Sequence, residues 1–191
     1  MKIKECTKCK LHKTRTNVVV GGGNVKSDIM FIGEAPGKNE DLQSKPFVGK
    51  SGLVLNEMLD NIGLKRSNVY ITNIVKCRPP DNRDPTGLEK IKCSMWLKKQ
   101  IKIIKPKIIV TLGKHSYSSM YIIFDNIKKM KFYVGKMKTN NLYYVKNGKN
   151  NFYIYKAIHP AATLYNHSLI EILYTQFEEI KIFLQAQNEK K

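Results

Sequence analysis

The stretch Asp28-Ile-Met-Phe-Ile-Gly33, with Glu34 directly after it, decides how this chain folds. An unbroken apolar run that stops at a glycine marks a short strand buried inside a sheet. Three further runs repeat the pattern: Val69-Tyr-Ile-Thr-Asn73, Lys107-Ile-Ile-Val-Thr-Leu-Gly113, and Phe152 to Ile158, which leads into His159-Pro160. Helical signals separate them. Leu55, Met58, Leu59 and Ile62 fall at i, i+3, i+4 and i+7, an apolar stripe closed by Gly63. Asp84-Pro85 offers an N-cap and a first-turn proline for a helix running to about Ile104. A shorter helix is expected from Ser116 to Phe124, and an amphipathic one from Ser168 to about Gln187. Between Asp125 and Asn151 the chain is basic, aromatic and broken by Gly and Asn, which suits hairpins and loops.

Strands alternating with helices predict an α/β fold. The expectation is three layers, αβα, around a central four-stranded, mostly parallel sheet, in one domain over residues 1–191. Ligands bind such sheets beyond the carboxyl ends of the strands. The loops at Glu34, Asn73, Gly113 and His159 all lie there.

Composition narrows the partners. The chain has 34 Lys+Arg against 15 Asp+Glu, a net charge of +19. That excess points to a polyanion, nucleic acid ahead of an anionic membrane; a proteome rich in lysine is the alternative explanation. Residues 1–13 are charged and lack the apolar core of a signal peptide. No apolar run approaches the ~20 residues that span a bilayer. An intracellular protein without a membrane association is therefore expected, in the cytoplasm or nucleoid, or of viral origin and acting in a host cell. In a reducing compartment disulfides are rare, so the four cysteines call for another explanation.

Cys6 and Cys9 form a Cys-x-x-Cys chelating pair, and Cys77 and Cys93 complete a set of four. Four thiolates suit a tetrahedral zinc or an iron–sulfur cluster, and spacing alone does not separate the two; free buried cysteines are a third reading. Glu34 follows its strand at once and is placed to face the crevice, as a reactive carboxylate or as an acceptor for loop amides. Phe47 is the lone aromatic in a polar, glycine-rich loop, a stacking platform or a core anchor. Asn73 offers both a donor and an acceptor, enough to read the edge of a base, although a strand-terminal Asn is also a common turn former. A neutral His159 can donate to a developing oxyanion, or can simply satisfy its own loop.

These residues sit in blocks that resemble the family 4 uracil-DNA glycosylases. Gly33-Glu34-Ala35-Pro36-Gly37, Glu40-Asp41 and Pro46-Phe47-Val48-Gly49 look like that family's first motif. Asn73-Ile-Val-Lys-Cys77-Arg78-Pro79-Pro80 with Asn82-Arg83-Asp84-Pro85 looks like its second block, and His159-Pro160-Ala161-Ala162 like its last. Cys6, Cys9, Cys77 and Cys93 take the positions of its cluster ligands. The resemblance implies a uracil-DNA glycosylase fold, removal of uracil from single- and double-stranded DNA, and a [4Fe-4S] cluster, with zinc as the alternative. It implies that Phe47 stacks on a flipped uracil, that Asn73 bonds its Watson–Crick edge, and that His159 stabilises charge at O2. Glu34 would orient or activate the attacking water, Ala35 would leave room for it, and Glu40 and Asn82 would support the pocket. A monomer is expected, with a replication or repair protein as an open partner.

Three features depart from the family pattern. Ser44 stands where a glycine is usual, Thr163-Leu164-Tyr165 stands where Leu-Leu-Arg is usual, and the basic stretch at 128–151 is long. Leu164 and Tyr165 are the residues expected to wedge into DNA. Two alternatives to a turning-over enzyme stay open. One is a glycosylase-like binding or replication accessory protein. The other is a base-free-DNA trap, which needs an inserted basic loop that is not found near Asn82.

Overall fold

The computed structural model describes residues 2–134, 137–148 and 150–189. The Asp28–Gly33 run forms β2 (Ile29–Gly33), every residue of it buried. It pairs in parallel with β3 (Tyr70–Asn73) on one side and β4 (Ile108–Leu112) on the other, and β4 pairs in parallel with β7 (Phe152–Ala157). These are the four expected strands. The sheet, however, has seven. A two-residue edge strand, β1 (Gly22–Gly23), adds antiparallel to β3. The hairpin β5 (Ile127–Val134) and β6 (Met137–Val145) adds antiparallel to β7, giving the order β1-β3-β2-β4-β7-β6-β5. The basic stretch thus holds an expected hairpin, and that hairpin extends the central sheet. Its lysines occupy positions where alternating apolar residues would have signalled a strand. Residues 135, 136 and 149 of that stretch lie outside the described residues.

Because β2 is buried on both faces, its alternate side chains feed two cores. Met30 and Ile32 pack with Trp96, Leu97, Ile101 and Ile104 of α3 (Gly87–Ile104). Ile29 and Phe31 pack with α2 (Lys50–Asn61) and α6 (Leu169–Asn188) through Leu55, Met58, Leu59, Leu173, Phe177 and Phe183. Phe31 stacks on Phe177 at 5.7 Å between ring centroids. Each such side chain contributes roughly 1.5–3 kcal/mol of burial, which fixes the three layers. No described helix is long and apolar enough to cross a membrane.

The helix boundaries correct the sequence reading in three places. The N-cap of α3 is Thr86, not Asp84. Thr86 Oγ1 accepts from the Glu89 N–H at 3.3 Å and Glu89 Oε2 accepts from the Thr86 N–H at 2.8 Å. Two reciprocal hydrogen bonds outweigh the Asp-Pro signal. The helix expected at Ser116–Phe124 is α4 (Lys114–Met120), which starts directly after β4. Residues 160–165, expected as a loop, form α5 (Pro160–Tyr165), with His159 as N-cap and Pro160 in the first turn. Finally, Ser44 adopts φ 56° as the left-handed C-cap of α1 (Lys38–Gln43), which is why glycine is the easier residue there.

Candidate active site

The carboxyl ends of β2, β3 and β7 open into one cleft of about 630 Å³. The strand order reverses between β2 and β4, the place where open α/β sheets bind ligands. Glu34, Ala35, Glu40, Phe47, Asn73, Asn82, His159 and Tyr165 all border it.

Asn73 ends β3 opposite Gly33, and the ladder runs on past it: the Ile74 N–H donates to Gly33 O and the Val75 N–H to Glu34 O. Its side chain is buried, and Oδ1 has no hydrogen-bond partner. An orphaned buried acceptor costs roughly 1–3 kcal/mol, so its natural complement is a donor brought by a ligand. Gly33 makes this geometry possible. A Cβ there would stand 2.4 Å from Asn73 Oδ1 and 2.6 Å from Phe47 Cζ. Gly33→Ala should therefore displace one of the two and lower the protein's activity at least ~10-fold, measured in the release assay described below. Unchanged activity would show that the contact is dispensable.

Phe47 is held in a backbone conformation that phenylalanine avoids, φ 53°. Such strain costs on the order of 1–3 kcal/mol and persists only where neighbours over-determine it. Here they do. Glu40 Oε1 accepts from the N–H groups of Val48 and Gly49, each at 2.8 Å. From the other side Arg66 donates to Pro46 O at 2.6 Å and Phe47 O at 3.1 Å. Glu40 thus supports the pocket by bracing its loop. Phe47, 6% exposed, is both core anchor and cleft wall, with the His159 ring 5.8 Å away and inclined to it by 28°.

His159 Nδ1 accepts the Ala161 N–H at 3.1 Å as the cap of α5. That bond occupies the Nδ1 lone pair and leaves the proton on Nε2. Burial pulls the imidazole below its ordinary pKa of 6.5, so the ring is a neutral donor at pH 7. Its turn is tight: Gly113, at φ 93°, would put a Cβ 3.0 Å from His159 Cβ.

Glu34 lies against Lys90 of α3, Oε1 to Nζ 2.8 Å, a charge contact without hydrogen-bond alignment. His115 Nδ1 stands 3.4 Å from the same oxygen, and Asp84 Oδ2 is 3.8 Å from that nitrogen. Asn82, at φ 55°, accepts from Arg78 Nε at 2.8 Å on the cleft rim. Of the residues expected to wedge into DNA, Tyr165 is 90% exposed at the mouth and Leu164 is 40% exposed beside it, both on α5.

Cys6, Cys9, Cys77 and Cys93 border one small cavity. Two donors already point at its sulfurs, Trp96 Nε1 to Cys6 at 3.3 Å and Arg15 to Cys77 at 3.1 Å. Burial pushes the Cys93 thiol up to about 11, which the neighbouring Lys76 only partly opposes. Cys77 is also raised by burial.

A stacking ring, an amide with a free acceptor, a neutral N–H donor and a carboxylate suit a flat heterocycle that acquires negative charge. A family model of the uracil DNA glycosylase superfamily matches residues 20–185. The chain belongs to that superfamily. It is similar to type-4 uracil-DNA glycosylases. That of Saccharolobus solfataricus is 45% identical over 190 residues, 97% of this chain and 84% of that protein. Those of Archaeoglobus fulgidus (44% over 178 residues, 93% and 87%) and Thermotoga maritima (40% over 188 residues, 97% and 93%) compare similarly.

In this superfamily member, the residues singled out from sequence for uracil all reach one cleft, and the four cysteines one cavity. Sequence reasoning missed Arg66, Lys90, His115, Arg15 and Trp96. Each acts through a contact distant in sequence, such as the 90 positions between Trp96 and Cys6. Only the capping box at Thr86 and Glu89 offered a signal, since it sets the α3 phase that turns Lys90 toward Glu34 and Cys93 toward the other thiols.

Proposed function

We propose that the chain is a uracil-DNA glycosylase of type 4, working as a monomer. It flips uracil out of DNA and hydrolyses its bond to deoxyribose, leaving an abasic site. The observation that carries this reading is the orphaned Asn73 Oδ1 beside the Phe47 and His159 rings. In this reading uracil N3–H donates to Oδ1, the amide donates to O4, and Phe47 stacks on the ring. As the C1′–N1 bond breaks, its electron pair moves onto the uracil, and the His159 Nε2–H donates to O2 where that charge collects. The water that attacks C1′ loses its proton toward Glu34. Glu34 Oε1 accepts no hydrogen bond within the protein, although Lys90 Nζ lies 2.8 Å away. Flipping costs a few kcal/mol, least for mispaired or single-stranded uracil. Leu164 and Tyr165 would fill the gap, and the charge of +19 would give affinity for phosphates that weakens with salt.

The four cysteines fit a metal centre: N–H donors face two sulfurs, and thiols raised by burial need a cation to become thiolates. The favoured occupant is a [4Fe-4S] cluster held by Cys6, Cys9, Cys77 and Cys93. A tetrahedral zinc with bonds of ~2.3 Å would draw the sulfurs to ~3.8 Å of one another. Among the described residues no three of these cysteines have sulfurs all within 4.8 Å. The group would supply structure, joining the N-terminal segment to α3 and to the loop after β3. Protein purified without oxygen should be brown, with ~4 iron atoms per chain; a colourless protein with one zinc would overturn this assignment.

Uracil release from U·G, U·A and single-stranded DNA tests the function. Release with turnover is expected. Binding without release would mean an accessory protein, and a permanent adduct a covalent trap. The pH profile adds a check on His159. Single-turnover release should be flat near pH 7 and fall through an acid limb whose midpoint lies below 6.5, as protonation of Nδ1 removes the acceptor that caps α5 and holds the ring in place. The unfolded chain takes up that proton first, so stability also falls as pH drops below 6.5. An acid limb centred above 6.5 would contradict this assignment.

A further inference from the structure

We propose that Lys76 is a positioning residue that couples Asn73 to the cysteine centre. Lys76 is 1% exposed and takes no part in the chemistry above. Its Nζ donates to Thr72 Oγ1 at 2.6 Å and to the main-chain oxygen of Asn73 at 2.5 Å, closing the end of β3 from behind. The same side chain borders the cavity of the four cysteines. Its two acceptors are neutral oxygens, poor compensation for a charge at this depth, and burial pulls the amine down to about 7. A filled cysteine centre would set an anion on the other side of the side chain. Four thiolates carry a net charge of about −2 with either a zinc ion or an oxidised [4Fe-4S] core. Lys76 therefore spans an anionic centre and the strand end that aims the uracil-reading amide. This rests on the metal-centre reading above, and holds for either metal.

The test uses the metal-loaded protein and Lys76→Met, which keeps the volume and removes the donors. Single-turnover uracil release should fall at least ~10-fold, while affinity for DNA carrying an abasic site, which offers Asn73 no base to read, stays within about 2-fold. On an Asn73→Ala background, Lys76→Met should cost nothing more, because the amide it positions is gone. A chelator should strip metal faster from Lys76→Met than from the wild type. If Lys76→Met does not fold, Thr72→Val, isosteric and lacking one of the two acceptors, carries the same release and coupling test. Losses that multiply on the Asn73→Ala background, or that appear equally in abasic-site affinity, overturn the proposal. Metal analysis of the wild type separates the two failures. A metal-free wild type removes the metal-centre reading, whereas a metal-loaded protein with multiplying losses removes only this inference.

Discussion

His159→Ala should lower single-turnover uracil release by about 10²- to 10³-fold, the usual loss when one oxyanion donor is removed. The effect is large because the charge on uracil O2 exists only as the bond breaks, so the Nε2–H is worth more in the transition state than in the bound substrate. His159 also caps α5, and losing a cap costs only ~1 kcal/mol of stability. His159→Asn separates the two roles. Asparagine is a good N-cap but places no donor at the Nε2 position. It should restore the melting temperature while leaving release as low as in His159→Ala. Restored release would assign the histidine to capping alone.

Asn73→Ala should cost a comparable factor, on the order of 10²-fold. Each hydrogen bond lost is worth ~1 kcal/mol net, and the unpaired N3–H and O4 of a desolvated uracil add their own penalty. At about 1.4 kcal/mol per tenfold, two such contacts reach this range. The loss should be confined to DNA that carries uracil. Affinity for abasic-site DNA should be unchanged, and stability should not fall, since Oδ1 has no partner within the protein. Near wild-type release would remove Asn73 from base recognition.

The parallel core was legible because each strand buried on both faces reads as a solid apolar run, as at Ile29–Gly33. The hairpin at 127–145 was less so. The edge strand β5 tolerates lysine, and lysine erases the alternation that marks it. At α3 two start signals competed two residues apart, and the one with reciprocal hydrogen bonds won. Asn73 and His159 stand at the carboxyl ends of strands, where the fold class places a site, whereas Phe47 lies between α1 and α2 and stood out as the lone aromatic of its loop. What braces them was hidden. Neither the left-handed backbone of Phe47 nor the clamp of Arg66 and Glu40 on either side of it leaves a local pattern. Lys90 reads as one more surface lysine until Glu34 is found 2.8 Å away.

The most direct measurement is a crystal structure bound to DNA carrying a non-hydrolysable deoxyuridine analogue. The expected density has the base out of the helix and flat against Phe47, its N3 within hydrogen-bonding distance of Asn73 Oδ1 and its O2 facing His159 Nε2. A base left in the duplex, or lodged in another cavity with these three side chains untouched, would contradict the assignment.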